Sequence, residues 1–226
     1  MRRRGITLLE VTVSSSIFIV VLAMVSGMLS TTTSTTSLVN SVTTAQTEAE
    51  RVVAFLRDEL RGARTSDMLP SGVSGPETSR EISYVVVDDS APLFDATRPG
   101  SVPWAGERRI LRFEADGDEV LDDGIDNDGD FLVDEGRLAL YTSVGGVEQL
   151  LGVIATDLGS LDGSGGGQLW FTVDAVTQSL PVVSAEVHVE RIMTEAIKGR
   201  ADLDALAAGG GPRVSHTSRL FVTSLN

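Results

Sequence analysis

The chain has no cysteine in its 226 residues, which excludes a disulfide framework and any thiolate metal site. Basic side chains are scarce: 18 Lys and Arg stand against 32 Asp and Glu, a net charge of −14. A polyanion held through phosphate contacts is a poor partner for such a surface, and no nucleic-acid partner is expected. Histidine occurs twice, with no HExxH spacing; no serine sits in GxSxG; and the glycine run 163–167 lacks the Lys-Ser/Thr of a phosphate loop. With no zinc pattern and no nucleophile paired with a base, the sequence does not read as an enzyme. Its apolar content of 42% is enough for one ordinary core.

What the chain does have stands at its beginning. Arg2, Arg3 and Arg4 precede Gly5, and from Ile6 to Leu29 the one ionisable side chain is Glu10. A basic end followed by an apolar run of this length reads as a membrane helix entered from the cytoplasmic side. A secretory signal would place a small-residue cleavage site after the apolar run. None follows Leu29, and the best processing point, Gly5, lies ahead of the run. A carboxylate at membrane depth costs about 2 to 4 kcal/mol unless it finds a partner. Glu10 is therefore either a headgroup-level residue of a plain signal anchor or a buried acid with a cationic mate.

The heptapeptide Gly5-Ile6-Thr7-Leu8-Leu9-Glu10-Val11 resembles the class III signal of type IV pilins and type II secretion pseudopilins. The resemblance implies cutting by a prepilin peptidase between Gly5 and Ile6, methylation of the new Ile6 amine, and Glu10 as the fifth mature residue. Ile6 stands where the family usually has phenylalanine. Loss of the leader leaves 15 basic against 32 acidic residues, a net charge of −17. In a filament core the Glu10 carboxylate of an incoming subunit would pair with a neighbour's Ile6 amine, since a buried charge is tolerated when paired and then sets register.

Residues 30–41, STTTSTTSLVNS, read as a linker by composition but contain no Gly or Pro to break a helix. Beyond them Val42, Ala45, Ala49, Val52, Val53, Leu56, Leu60 and Ala63 recur at spacings of three and four, the mark of one buried helical face. The sequence thus predicts one long helix from Ile6 to about Arg64, roughly 90 Å at about 1.5 Å per residue, with a local kink or melt as an alternative at the threonine run 31–36. The segment RVVAFLRDELRGAR, 51–64, further resembles minor pilins and J-type pseudopilins.

After residue 66 the period changes to two. Residues 68–80 read as a loop. The runs 81–88, 108–116, 137–143, 147–155, 168–176, 182–193 and 218–224 read as strands of an antiparallel sheet whose dry face takes the helix. Glycine clusters at 145–146, 163–167 and 209–211 mark turns, and 194–208 reads as a short helix weakened by Gly199. His188 is expected on a strand, solvent-facing or hydrogen-bonded, and His216 in the loop before the last strand; Trp104 and Trp170 are expected as core or turn anchors. The predicted fold class is α+β and pilin-like. A leader 1–5 is cleaved, 6–29 is the membrane half of a stalk helix, 30–64 its amphipathic half, and 65–226 a β-rich head.

Residues 114–135, EADGDEVLDDGIDNDGDFLVDE, hold eleven acids and no base. Asp126, Asp128 and Asp130 alternate, Gly124 and Gly129 permit tight turns, and Asp134 can close a shell of hard oxygens suited to Ca²⁺. The EF-hand pattern fails, because Phe131 stands at its glycine position and Arg137 at its twelfth. The segment instead resembles the DxDxDG-type loops of thrombospondin type 3 repeats and dockerins, with Asp122, Asp123, Asp126, Asp128, Asp130 and Asp134 as candidate ligands. The competing reading is a solvated acidic hairpin without metal.

The resemblance implies a minor pilin or pseudopilin, a structural subunit near a filament tip. It would sit first in the bacterial inner membrane as a single-pass protein with a periplasmic head. Its partners would be other pilin-like subunits, the prepilin peptidase, membrane lipid and an inner-membrane assembly platform driven by a cytoplasmic ATPase. The alternative is a membrane-anchored, calcium-dependent binding module that keeps its leader and forms no filament.

Overall fold

The computed structural model describes residues 8–64, 67–70, 76–88, 90, 102–115, 121, 136–158, 169–174, 182–192 and 213–223. It divides into two compact units, Met1–Asn40 and Ser41–Asn226.

Helix α1 spans Leu8–Arg61 and runs through the threonine-rich segment without a break. Each hydroxyl from Thr31 to Thr36 donates to the carbonyl four residues back, at 2.8 to 3.0 Å. This back-bonding lets side chains of low helix propensity remain helical, because their donors are satisfied within the helix. Among the described residues of the first unit the apolar side chains, among them Leu8, Val11, Ile17, Phe18, Leu22 and Met28, are all exposed. The helix contains a stretch long and apolar enough to cross a membrane.

In the second unit the same helix becomes one-sided. Of the eight stripe residues all but Val42 are buried: Ala45, Ala49, Val52, Val53, Leu56, Leu60 and Ala63. The helix stops at Arg61, three residues short of the predicted end, because the main chain beyond Gly62 pairs with a strand. Ala63 bridges Val86, and the Arg64 N–H donates to the Val85 carbonyl at 2.7 Å.

The expected single sheet is two four-stranded antiparallel sheets. One is a meander of β2 (Glu81–Val87), β3 (Trp104–Ala115), β4 (Gly136–Val144) and β5 (Val147–Leu158). The other has the order β1 (Glu77–Ser79), β6 (Trp170–Asp174), β7 (Val182–Ile192) and β8 (Arg213–Thr223). The predicted alternation holds: Leu111 and Phe113 on β3, and Val183, Ala185, Val187 and Val189 on β7, all point inward. They join Ile82, Leu138, Phe171, Leu220 and the α1 stripe in one core, where each large apolar side chain contributes about 1.5 to 3 kcal/mol.

Strand β1 lies in a stretch that reads as loop by composition; its three polar residues are recruited by β6 through Thr78↔Thr172, whose hydroxyls meet at 3.1 Å. Strand β8 begins at Arg213, so His216 is on a strand and not in the expected loop. Its polar half pairs with Val187 to Ile192 of β7. Between β4 and β5, Gly145 and Gly146 have φ of 61° and 84°, the two left-handed residues of a tight hairpin turn. The predicted turns at 163–167 and 209–211 and the predicted helix at 194–208 fall outside the described residues.

Candidate functional site

Two stretches carry the sequence-predicted sites. Gly5 and Ile6 lie outside the described residues. Glu10 is in the first described turn of α1 and exposed. Thr12, Ser15 and Ser16 nearby donate back to the carbonyls of Leu8, Val11 and Thr12 at 2.6 to 2.8 Å. Their polar groups are therefore met inside the helix, as an apolar medium requires.

Asp122, Asp123, Asp126, Asp128, Asp130 and Asp134 also lie outside the described residues. The structure does define where their loop begins and ends. Strands β3 and β4 are paired up to Ala115↔Gly136, so the acidic segment is the connection of a hairpin. At its base Glu114 accepts from Arg137 Nε at 2.9 Å and Nη2 at 2.8 Å, and from Tyr141 Oη at 2.9 Å. Burial, then the hydrogen bond to Glu114, pushes the Tyr141 hydroxyl above its ordinary pKa. Glu114 thus fastens the hairpin, a role its place in an acid-rich run does not reveal. Leu121, within the connection, packs against the core. Among the described residues no group of three or more His, Cys, Asp or Glu side chains is placed to hold a metal ion.

A polar cluster that sequence reasoning missed lies under the C-terminal end of α1. Glu59 accepts from Arg109 Nη1 at 2.6 Å and from Tyr84 Oη at 3.0 Å. Tyr84 is fully buried, and its pKa is raised well above the usual value, first by burial and then by the Glu59 charge. The Arg109 guanidinium loses stability as a cation through burial but gains more from Glu59, so its pKa is raised on balance. Asp58, Glu59, Gly62, Val86, Val87 and Arg109 line a shallow cleft here. The available signal was the position of Glu59 beside the apolar stripe, where a charge needs a partner. Chemically the trio is a clamp between helix and sheet, its carboxylate bonded to both partners.

His188 is buried, with Nδ1 2.7 Å from Thr217 Oγ1 on β8, the hydrogen-bonded one of its two expected states. His216 Nε2 lies 3.2 Å from Ser218 Oγ on the same strand. Trp104 and Trp170 stand at the starts of β3 and β6, each beneath a guanidinium, Arg64 at 5.4 Å and Arg80 at 4.8 Å. Compared with protein-family models, curated proteins and solved structures, the chain matches none.

Proposed function

We propose that the protein is a structural subunit of a pilin-like filament, a minor pilin or pseudopilin of a type II secretion pseudopilus or type IV pilus, and not an enzyme. The observation that carries this reading is the division of labour along α1. One stretch is apolar and exposed, with Glu10 near its start, and a later stretch is buried in a β-rich head. An apolar helix face left bare by its own protein has two media to choose from, lipid before assembly and other helices afterwards. A carboxylate within it is costly in either unless a neighbour's cation meets it.

On this reading Gly5 and Ile6 flank the cut made by a prepilin peptidase, Ile6 carries the methylated amine, and Glu10 of an entering subunit pairs with that amine on another. The protein waits in the bacterial inner membrane with its head on the periplasmic side. An assembly platform powered by a cytoplasmic ATPase then draws it into the filament. Residues 116–135 order around one Ca²⁺ through the six aspartates named above, stiffening the β3–β4 hairpin.

The mature N-terminus tests the reading. Mass spectrometry of protein from the native host should find methylated Ile6 as the first residue. An intact Met1 would end the filament proposal and leave an anchored calcium-binding module.

A further inference from the structure

Helix α1 is supported by different means along its length. Residues 8–29 are mostly apolar and exposed, the part whose character suits a membrane. From Ala45 onward the stripe is buried in the core of the head. Residues 30–44 have neither support: none of their side chains is buried, and only Ser37 and Ser41 are half-buried. A stretch of helix without packing stands on intrinsic propensity and on nucleation by the turns that flank it.

The propensity is poor. The stretch reads STTTSTTSLVNSVTT, and every residue in it except Leu38 is Ser, Thr, Val or Asn, all weaker helix formers than Leu or Ala. Seven threonines and two valines lose side-chain freedom against the preceding turn. The hydroxyls weaken the ladder further. Each hydroxyl from Thr31 to Thr36 donates to the carbonyl four residues back, the same oxygen to which that residue's own N–H is directed in an α-helix. Two donors thus share one acceptor. Water satisfies the hydroxyls once a turn unwinds, so they do not oppose its opening.

We propose that residues 30–44 are a helix–coil joint, which unwinds reversibly and ahead of either flank, with the turns at Thr31–Thr36 opening first. Unwinding those six residues lengthens the chain there by roughly 11 Å, as the rise per residue goes from about 1.5 to about 3.3 Å. The joint takes up pull or twist applied to the head before that load reaches the apolar half of α1. The inference does not rest on filament assembly, and its failure would leave N-terminal processing untouched.

The test uses the full chain in nanodiscs of zwitterionic lipid. The protein has no cysteine of its own, so L29C/S41C takes two spin labels without background. Twelve residues of unbroken helix separate these positions by about 18 Å along the axis. Double electron–electron resonance should find the helical distance together with a longer population. In T31A/T32A/T33A/S34A/T35A/T36A the longer population should vanish. Amide exchange gives a second reading. The N–H groups of residues 35–40, directed at the carbonyls of 31–36, should exchange at least about tenfold faster in the natural chain than in the alanine variant. Residues 49–60 should exchange alike in both, which shows the head intact. A single helical distance in the natural sequence would overturn the proposal, as would a longer population that survives the alanines or equal exchange at 35–40 in the two chains.

Discussion

Gly136 of β4 stands directly against Phe113 of β3: a Cβ at position 136 would lie 2.5 Å from the ring's Cζ and 2.6 Å from the Glu114 carbonyl. The carbonyl matters more than the ring, because a side chain can swing aside and a paired strand cannot. Gly136→Ala should therefore destabilise the head by about 1 to 3 kcal/mol. Gly152→Ala, where a Cβ meets nothing within 4 Å, should stay within about 0.5 kcal/mol. Denaturant midpoints of the two variants compare them directly, and equal midpoints would contradict the packing described.

The helical stripe makes a similar contrast. Leu56 is fully buried and Val42 is 40% exposed. Leu56→Ala should cost about 2 to 5 kcal/mol through lost transfer and the cavity it leaves, whereas Val42→Ala should be nearly silent. Thermal unfolding of the second unit reads both.

Alkaline stability should depend on Tyr84. Its folded pKa is raised above the ordinary 10.0, chiefly by burial and then by Glu59. The folded state therefore holds the phenolic proton more tightly than the unfolded state does. That contribution is complete below about pH 10 and shrinks as pH rises above it, since only the unfolded chain then releases the proton. Melting temperature should fall more steeply above pH 10 in the natural protein than in Tyr84→Phe. The variant should itself lose about 1 kcal/mol at neutral pH from the missing hydrogen bond to Glu59. Parallel slopes would mean that Tyr84 does not control the transition.

For assembly, Glu10→Ala should leave membrane insertion intact and reduce recovery in sheared filaments. A single carboxylate adds nothing to the apolar driving force for insertion, and its value lies in pairing with a neighbour's amine. Equal recovery of variant and natural protein would rule out the pairing role.

For the acidic connection, isothermal titration with Ca²⁺ should give a dissociation constant on the order of 10⁻⁴ to 10⁻³ M, as in extracellular modules. The double variant D126N/D128N should abolish the heat. Glu114→Gln should act differently, lowering stability by loosening Arg137 and Tyr141 at the hairpin base while sparing the metal. Absence of heat in the natural protein at millimolar Ca²⁺ would remove the site.

The long helix was legible because its signals are local. An apolar run, a run of hydroxyls able to bond four residues back and a stripe at spacings of three and four all declare themselves within a few turns. Most strands were legible for the same reason, through alternation in β3 and β7. The missed ones, β1 and the first half of β8, are polar and owe their conformation to the strands beside them, Thr172 for Thr78 and Val189 for His216. No property of their own residues announces that.

By itself the amino-acid order determined an apolar helix with one acid near its start, an amphipathic continuation and a β-rich, acidic remainder, because hydropathy and period are carried by neighbours in the chain. Only the tertiary structure decided that the strands divide into two sheets and that Glu59 is clamped by Tyr84 and Arg109. It alone laid Ala63 and Leu69 along the outer side of β2. Those outcomes depend on which distant segments meet, and pairing across tens of residues is settled by the competition of whole strands for partners, to which no short window of sequence has access.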